Sequence, residues 1–348
     1  MNERLNVGII GVGTISQTHI SQYQAYPRAN LYAICDSDTE WLADAAELYK
    51  PEKSFHNYHD MLADPQLDAV SICLPTGNHA EATVAALRAG KHVLCEKPMA
   101  INANEARFMR DVAQSTGKKL MISQNQRFEE NIQLMKRYAE DGFFGEIYLI
   151  RIGWRRPLGI MPLHETLRPN GKKYNHNFFN EKDNGGGVLR DLGSHLLDLS
   201  LYIAGFPDLS HTMSSLYRKF YPDDYQPEKY GCDAEDMAVS QMLFTNGLTM
   251  QLEVSYGSFV EDSIVFTDIY GTKGGASRRN GELKFFSKKD NLVETSKVGQ
   301  YDFVSKSAQQ RFVDAVLDGT EVPVPPEEGI RVIEVLDAIY ASAGEIRR

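Results

Sequence analysis

Residues 5–16 read LNVGIIGVGTIS: an apolar run that breaks at Gly11 and resumes as Gly11-Val12-Gly13-Thr14-Ile15-Ser16. The spacing predicts a buried strand over Leu5–Ile10, a tight turn, and a helix opening after it. Gly11 permits the turn. Gly13 lets the backbone approach a pyrophosphate, and the first helical N–H groups, at Thr14 and Ile15, offer donors and a positive dipole end. Ser16 stands where this fingerprint usually has Gly or Ala, and is small enough to keep helix and strand close. A second strand, 30–35, ends at Asp36, about 20 residues past the turn, where an acidic side chain accepts from adenosine ribose hydroxyls. Asp36-Ser37-Asp38 has no arginine beside it to neutralise a 2′-phosphate, so the reading favours NAD over NADP.

Strand and helix patterns then alternate. DAVSICL (68–74) reads as a buried parallel strand, 79–89 as a helix, 92–95 as a strand ending in Glu96-Lys97-Pro98, and 119–123 as another strand. Asn102 with Glu105 three residues on makes an Asn-type capping box. This order predicts a doubly wound parallel sheet, which binds ligands beyond the carboxyl ends of its strands. The expected cofactor contacts are Gly11, Gly13, Thr14, Ile15, Asp36, Leu74, Pro75, Thr76, Asn78, His79, Glu96, Lys97 and Gln126. His56, His59 and Asp60 read as a strand end and helix cap rather than a metal site, and no Cys/His cluster suggests zinc.

At 348 residues the chain has room for about two domains. A net charge of −10 argues against nucleic acid, which requires a basic face. No run approaches the ~18 apolar residues of a membrane span, and MNERLNVGIIG enters a strand without a signal-peptide pattern. The expected location is the cytoplasm. Cys35, Cys73, Cys95 and Cys232 are scattered and read as buried free thiols.

Residues 184–200 read NGGGVLRDLGSHLLDLS. Asp191, His195 and Asp198 fall at i, i+4 and i+7 on one helical face, beside an apolar stripe of Leu192, Leu196 and Leu199. Alone, the segment is either an amphipathic helix with a solvated face or acid–base equipment.

The order of GVGTIS, Asp36, PTGNH (75–79), Glu96-Lys97-Pro98, Gln126-Arg127-Phe128 and GGGVLRDLGSHLLDL resembles the Gfo/Idh/MocA family of NAD(P)-dependent oxidoreductases over nearly the whole chain. The resemblance implies a Rossmann domain followed by a domain on an open-faced, mostly antiparallel sheet, with the nicotinamide between them. It implies catalytic roles for Lys97, Asp191 and His195, a Lys–Pro bond that is often cis, and a homodimer or homotetramer through the open sheet face. The expected domains are 1–124, 125–304 and a closing segment, 305–348, whose helices return to the first domain.

Within the second part, a helix runs from Arg127 to about Asp141, EIYLIRIGW (146–154) alternates as a half-buried strand, and further strands fall at about 210–217, 237–245, 248–256, 263–270, 274–280 and 283–287. The long 155–183 stretch, with His164 and His176, reads as a substrate loop, and the triple glycine as a hinge that brings it to the nicotinamide. The expected reaction is oxidation of a secondary alcohol on a sugar or cyclitol. His195, with an ordinary pKa of about 6.5, would be the base. Lys97 would stabilise the alkoxide, Asp191 would orient the pair, and Asp198 would support. Arg127, Trp154 and Arg155 complete the expected substrate pocket. An NAD-dependent glycosidase acting by transient oxidation and a non-enzymatic NAD(P)-binding regulator are the alternatives, and retention of Lys97, Asp191 and His195 favours the enzyme.

Overall fold

A computed structural model describes residues 4–157, 166–167, 173–174, 184–219, 233–289, 292–297 and 306–347. Most of the expected substrate loop, including His164 and His176, lies outside the described residues, as does Cys232. Cys35, Cys73 and Cys95 are free and buried.

The first domain builds β1 (Leu5–Ile10), α1 (Thr14–Gln24), β2 (Ala29–Cys35), α2 (Thr39–Tyr49), β3 (Lys53–Phe55), α3 (Tyr58–Leu62), β4 (Ala69–Ile72), α4 (His79–Arg88), β5 (His92–Glu96), α5 (Ala103–Thr116) and β6 (Leu120–Ser123). The six strands pair in parallel in the order β3-β2-β1-β4-β5-β6, the doubly wound arrangement, with the order reversing beside β1. Their apolar runs are buried because helices cover both faces. Asn102 caps α5 by accepting from the Glu105 amide at 2.9 Å, and Gly117 ends it in the left-handed region. Asn57 caps α3 through the His59 amide, so the His56–Asp60 run is a strand end followed by a capped helix.

The second domain starts with α6 (Glu130–Glu140) and β7 (Ile147–Pro157); β8 (Thr166–Leu167) and β9 (Lys173–Tyr174) form a separate two-residue pair. There follow α7 (Ser194–Ala204), β10 (Leu209–Tyr217), β11 (Met237–Phe244), β12 (Thr249–Ser258), β13 (Ile264–Gly271), β14 (Gly274–Arg279), β15 (Glu282–Lys289) and β16 (Leu292–Lys297). Eight strands form one sheet, β10-β11-β12-β7-β13-β14-β15-β16, antiparallel except where β12 runs parallel to β7. Strand alternation sends Ile150, Ile152, Leu252, Val254 and Tyr256 toward the helices, all nearly fully buried. The opposite face carries Met213, Gln241, Gln251, Arg151 and Asp268 in register across five strands. Met213 is 73% exposed there, and Leu243 and Tyr270 are exposed as well.

The last helices, α8 (Ala308–Leu317) and α9 (Pro326–Ala343), return to the first domain. The Ile122 amide donates to the Val324 carbonyl at 3.1 Å, and Asp337 on α9 accepts from the Ala103 amide and from Arg190, both at 2.8 Å. One helix thus touches both domains and fixes the angle between them.

Candidate active site

The cofactor side is built from strand ends. Gly11 sits at φ +88°, and a Cβ there would fall 2.6 Å from the Cys73 carbonyl oxygen, so the turn admits only glycine. A Cβ on Gly13 would meet nothing within 4 Å among the described residues; this is the open space a pyrophosphate needs. Gly13 caps α1 without a side-chain bond, which leaves the first-turn N–H groups of the exposed Thr14 and Ile15 available. Ser16 is fully buried, and its hydroxyl donates to the Gly13 carbonyl at 2.6 Å, closing the turn from within. Asp36 accepts from the Val12 and Asp38 amides, both at 2.9 Å. Each carboxylate oxygen keeps a further lone pair for a ribose hydroxyl. A cavity of about 390 Å³ opens there, lined by Gly11, Asp36, Tyr58, Leu74, Asn78 and Glu81. These residues fit an adenosine ribose and its pyrophosphate.

Leu74, Pro75 and Thr76 follow the end of β4, with Asn78 exposed beside them, and Gln126 follows β6 with its side-chain oxygen buried and unbonded among the described residues. Two expected contacts turn inward instead. His79 is buried, and its ring nitrogens lie 2.8 and 2.9 Å from the carbonyls of Pro98 and Leu74, so it braces two strand ends from below. Burial pushes its pKa down. Glu96 is also buried, with its carboxylate on His19 rather than toward the cofactor cleft.

The substrate side centres on Lys97, which follows β5 and precedes a cis proline. Its ammonium donates to the Asp191 carboxylate at 2.9 Å and to the Asp191 carbonyl at 3.1 Å. That carbonyl is presented by one π-helical turn, Leu189–Gly193, ahead of α7, and it also accepts from the Ser194 hydroxyl. Tyr256, buried on β12, donates to the other Asp191 oxygen at 3.0 Å. Burial pushes the Asp191 carboxyl up, but the Lys97 charge and hydrogen bond outweigh it and hold it below the usual range. His195 comes one turn later, its ring centroid 6.3 Å from that of Trp154. Burial and the neighbouring Lys97 push its pKa down to about 3. The imidazole is therefore neutral throughout the physiological range, not poised near neutrality as its ordinary value suggests.

Several expectations are corrected here. Arg127 does not line a pocket. It is 1% exposed and makes a forked pair with Asp198, at 2.6 and 2.5 Å, and a further pair with Glu328, between the rings of Tyr202 and Phe206. Asp198 is thereby a buried counter-ion, and α7 is buried nearly all round rather than amphipathic with a solvated face. Arg155 points to the open sheet face, its Nε 3.6 Å from Glu253. Alternation along β7 places Arg156 on the Trp154 side instead, with its guanidinium 5.2 Å from the Trp154 ring centre.

The triple glycine is a packed junction, not a hinge. A Cβ on Gly186 would fall 2.0 Å from the Tyr340 hydroxyl, and one on Gly187 would fall 2.0 Å from the Glu235 carbonyl oxygen. The buried Glu235 carboxylate accepts from the amides of Gly187 and Leu189 and from Tyr340. Tyr256, Arg156 and Glu235 escaped sequence reasoning. The signal that could have found Arg156 is the strand parity it shares with Ile152 and Trp154.

The arrangement of a glycine turn, an acidic strand end and a lysine–carboxylate–imidazole group at a domain junction coincides with a known sequence profile. Residues 5–124 match the profile described as "Oxidoreductase family, NAD-binding Rossmann fold", and residues 166–347 match "Oxidoreductase family, C-terminal alpha/beta domain". The chain belongs to the Gfo/Idh/MocA oxidoreductase family. As a member it is an NAD(P)-dependent dehydrogenase, and its first domain is the family's NAD-binding fold. It is 30% identical to D-glucoside 3-dehydrogenase of Escherichia coli (strain K12) over 97% of this chain and 95% of that one. It is 26% identical to levoglucosan dehydrogenase of Pseudarthrobacter phenanthrenivorans over 97% of this chain and 86% of that one. Among solved structures it is similar in fold to levoglucosan dehydrogenase in complex with NADH and levoglucosan, with a TM-score of 0.85 at 24% identity, covering 98% of this chain and 97% of that one.

Proposed function

We propose that the protein oxidises a secondary hydroxyl of a sugar or cyclitol with NAD, or reduces the corresponding ketone. The observation that carries this reading is the Lys97–Asp191 contact, which joins the end of β5 to the π-turn of the second domain with His195 one turn away. Names of relatives, D-glucoside 3-dehydrogenase and levoglucosan dehydrogenase among them, support the substrate class.

NAD, when bound, supplies the hydride acceptor. The protein's own groups then have separable tasks. Lys97, held by Asp191, donates to the reacting oxygen and stabilises the negative charge that develops there. His195, neutral because burial and Lys97 keep it so, offers a lone pair to the hydroxyl proton. Asp191, fixed by Lys97 and Tyr256, keeps the ammonium in place and offers an acceptor to a neighbouring hydroxyl. Trp154 and Arg156 form a wall of aromatic face and hydrogen-bond donor suited to a polyhydroxylated ring.

The test is NAD reduction across inositols, hexoses, glucosides and anhydrosugars, run in parallel with NADP. At least one polyol should reduce NAD, and His195→Asn and Lys97→Met should each lower kcat by roughly 10²–10⁴. Arg156→Gln should raise KM about tenfold, the loss of a charge-assisted hydrogen bond, while Arg155→Gln changes it little. Inertness of the parent toward every polyol, or parental turnover in His195→Asn, sinks the assignment. A higher kcat/KM with NADP overturns the reading of Asp36.

A further inference from the structure

Between the pyrophosphate turn and Lys97 lies a buried pair that the proposed chemistry does not use. His19 is on α1, the helix that opens at Gly13, and is 1% exposed. Its Nε2 lies 2.8 Å from one oxygen of Glu96, which is 6% exposed. The other oxygen of Glu96 accepts from the backbone N–H of Lys97 at 3.1 Å. An ionised carboxylate can only accept, so Nε2 carries the proton of the first bond. His19 Nδ1 is buried and unbonded among the described residues, so the ring has one hydrogen-bond partner there and that partner is Glu96.

We propose that His19 is a positioning residue for the reaction: through Glu96 it fixes the backbone of Lys97 and the charge beside it, tying the lysine to the helix that receives the pyrophosphate. The inference rests on the reading that Lys97 meets the reacting oxygen. A buried carboxylate with one partner removed would take up a proton or turn toward solvent. Here burial pushes the Glu96 carboxyl up, but His19 first, and then Ser123 and Lys97, outweigh it and hold it at about 2. The charge of Glu96 is thus maintained in the interior. The titratable groups that feel it are Lys97, His79 and His195 on the cleft side and Tyr23, Cys73 and Cys95 in the core. A site that needs Lys97 cationic gains from a fixed anion behind the lysine, while burial and Lys97 itself keep His195 neutral against the pull of that anion.

The experiment uses the full chain, His19→Leu, His19→Gln and Glu96→Gln. Glutamine can restore an N–H toward Glu96; leucine fills the space without one. Reductive ¹³C-methylation gives Lys97 an NMR signal, assigned by its loss in Lys97→Arg, and this readout needs no substrate. The Lys97 signal should move by more than its linewidth in His19→Leu and Glu96→Gln and return toward the parental position in His19→Gln. On the sugar with the highest turnover in the screen, kcat should fall roughly ten- to a hundredfold in His19→Leu with KM little changed, as misplacement of a reacting group does, and recover in His19→Gln. The acid limb of the kcat–pH profile should shift in Glu96→Gln. NADH affinity should stay within about threefold of the parent, the scale of a lost weak contact. A Lys97 signal at the parental position in both His19→Leu and Glu96→Gln overturns the proposal, as does a loss of kcat that glutamine does not restore. If His19→Leu does not fold, Glu96→Gln and His19→Gln decide by the same criteria. A parent that oxidises no sugar defeats the proposed function, and the NMR comparison still decides the positioning role.

Discussion

Histidine protonation links the site to stability. His195 is held down to about 3 by burial and Lys97, and His92 to about 4 by burial and the nearby lysines 118 and 119. His92 Nδ1 accepts the Lys119 amide at 3.0 Å, a bond that only the unprotonated nitrogen can make. In the unfolded chain such groups titrate near 6.5, so between that value and their folded values the unfolded state binds more protons. Stability must therefore fall as pH drops below about 6.5, with a slope of up to about 1.4 kcal/mol per pH unit for each histidine involved. Glu96 adds a later loss: held at about 2 against an ordinary 4.5, it contributes above 4.5 and is lost as pH falls toward 2. Urea midpoints should decline steadily from pH 7 to pH 5, and His92→Gln should flatten the decline. A parental midpoint that does not change over that range contradicts the account. At this scale the places of Asp36, Lys97 and Asp191 were legible, because each follows a strand end or a turn. Arg127 was not. A lone arginine after a strand end looks the same whether it awaits a substrate or a counter-ion 71 residues away.

Among the elements, the junction of α6, α7 and α9 depends on one buried cation. Arg127 stands between Asp198 on α7 and Glu328 on α9, and it is the partner both share. Arg127→Met would fill the volume but leave Asp198 buried and uncompensated, a loss of about 3–5 kcal/mol. Urea denaturation of Arg127→Met should show this against the parent; a change below about 1 kcal/mol would mean that solvent reaches Asp198 at little cost. Double replacement with Asp198→Leu should recover much of the loss. Most elements were readable from period and punctuation, as with the glycine turn and the strand ends. The π-turn was not: the Asp191 carbonyl in it accepts from Lys97, 94 residues away, a partner that local sequence does not show. Strand β16 was missed as well: it is an edge strand whose residues 292–296 are exposed and offer no buried face to mark it.

For the whole molecule, the sheet has one face with no covering layer among the described residues. That face carries Met213, Leu243 and Tyr270 exposed, amid a polar row that includes Gln241, Gln251 and Arg151. An apolar and polar mixture of this kind is what a self-complementary contact uses. Two copies are expected to pair there: sedimentation velocity at micromolar concentration should show a dimer or tetramer, and Met213→Asp with Tyr270→Asp should shift it toward monomer. A monomeric parent would refute the pairing. The order of strands in this sheet could not be read locally, since β12 joins β7 across about 100 residues of chain. The return of α9 has a consequence for synthesis. The β6 edge is completed by Val324, Arg127 by Glu328, and the glycine junction by Tyr340. All three arrive after every strand of both sheets has left the ribosome. Neither half can finish while it is being made, so a nascent chain stalled before residue 320 should be seen by chaperones and proteases as wholly unfinished, not as one completed domain with a tail.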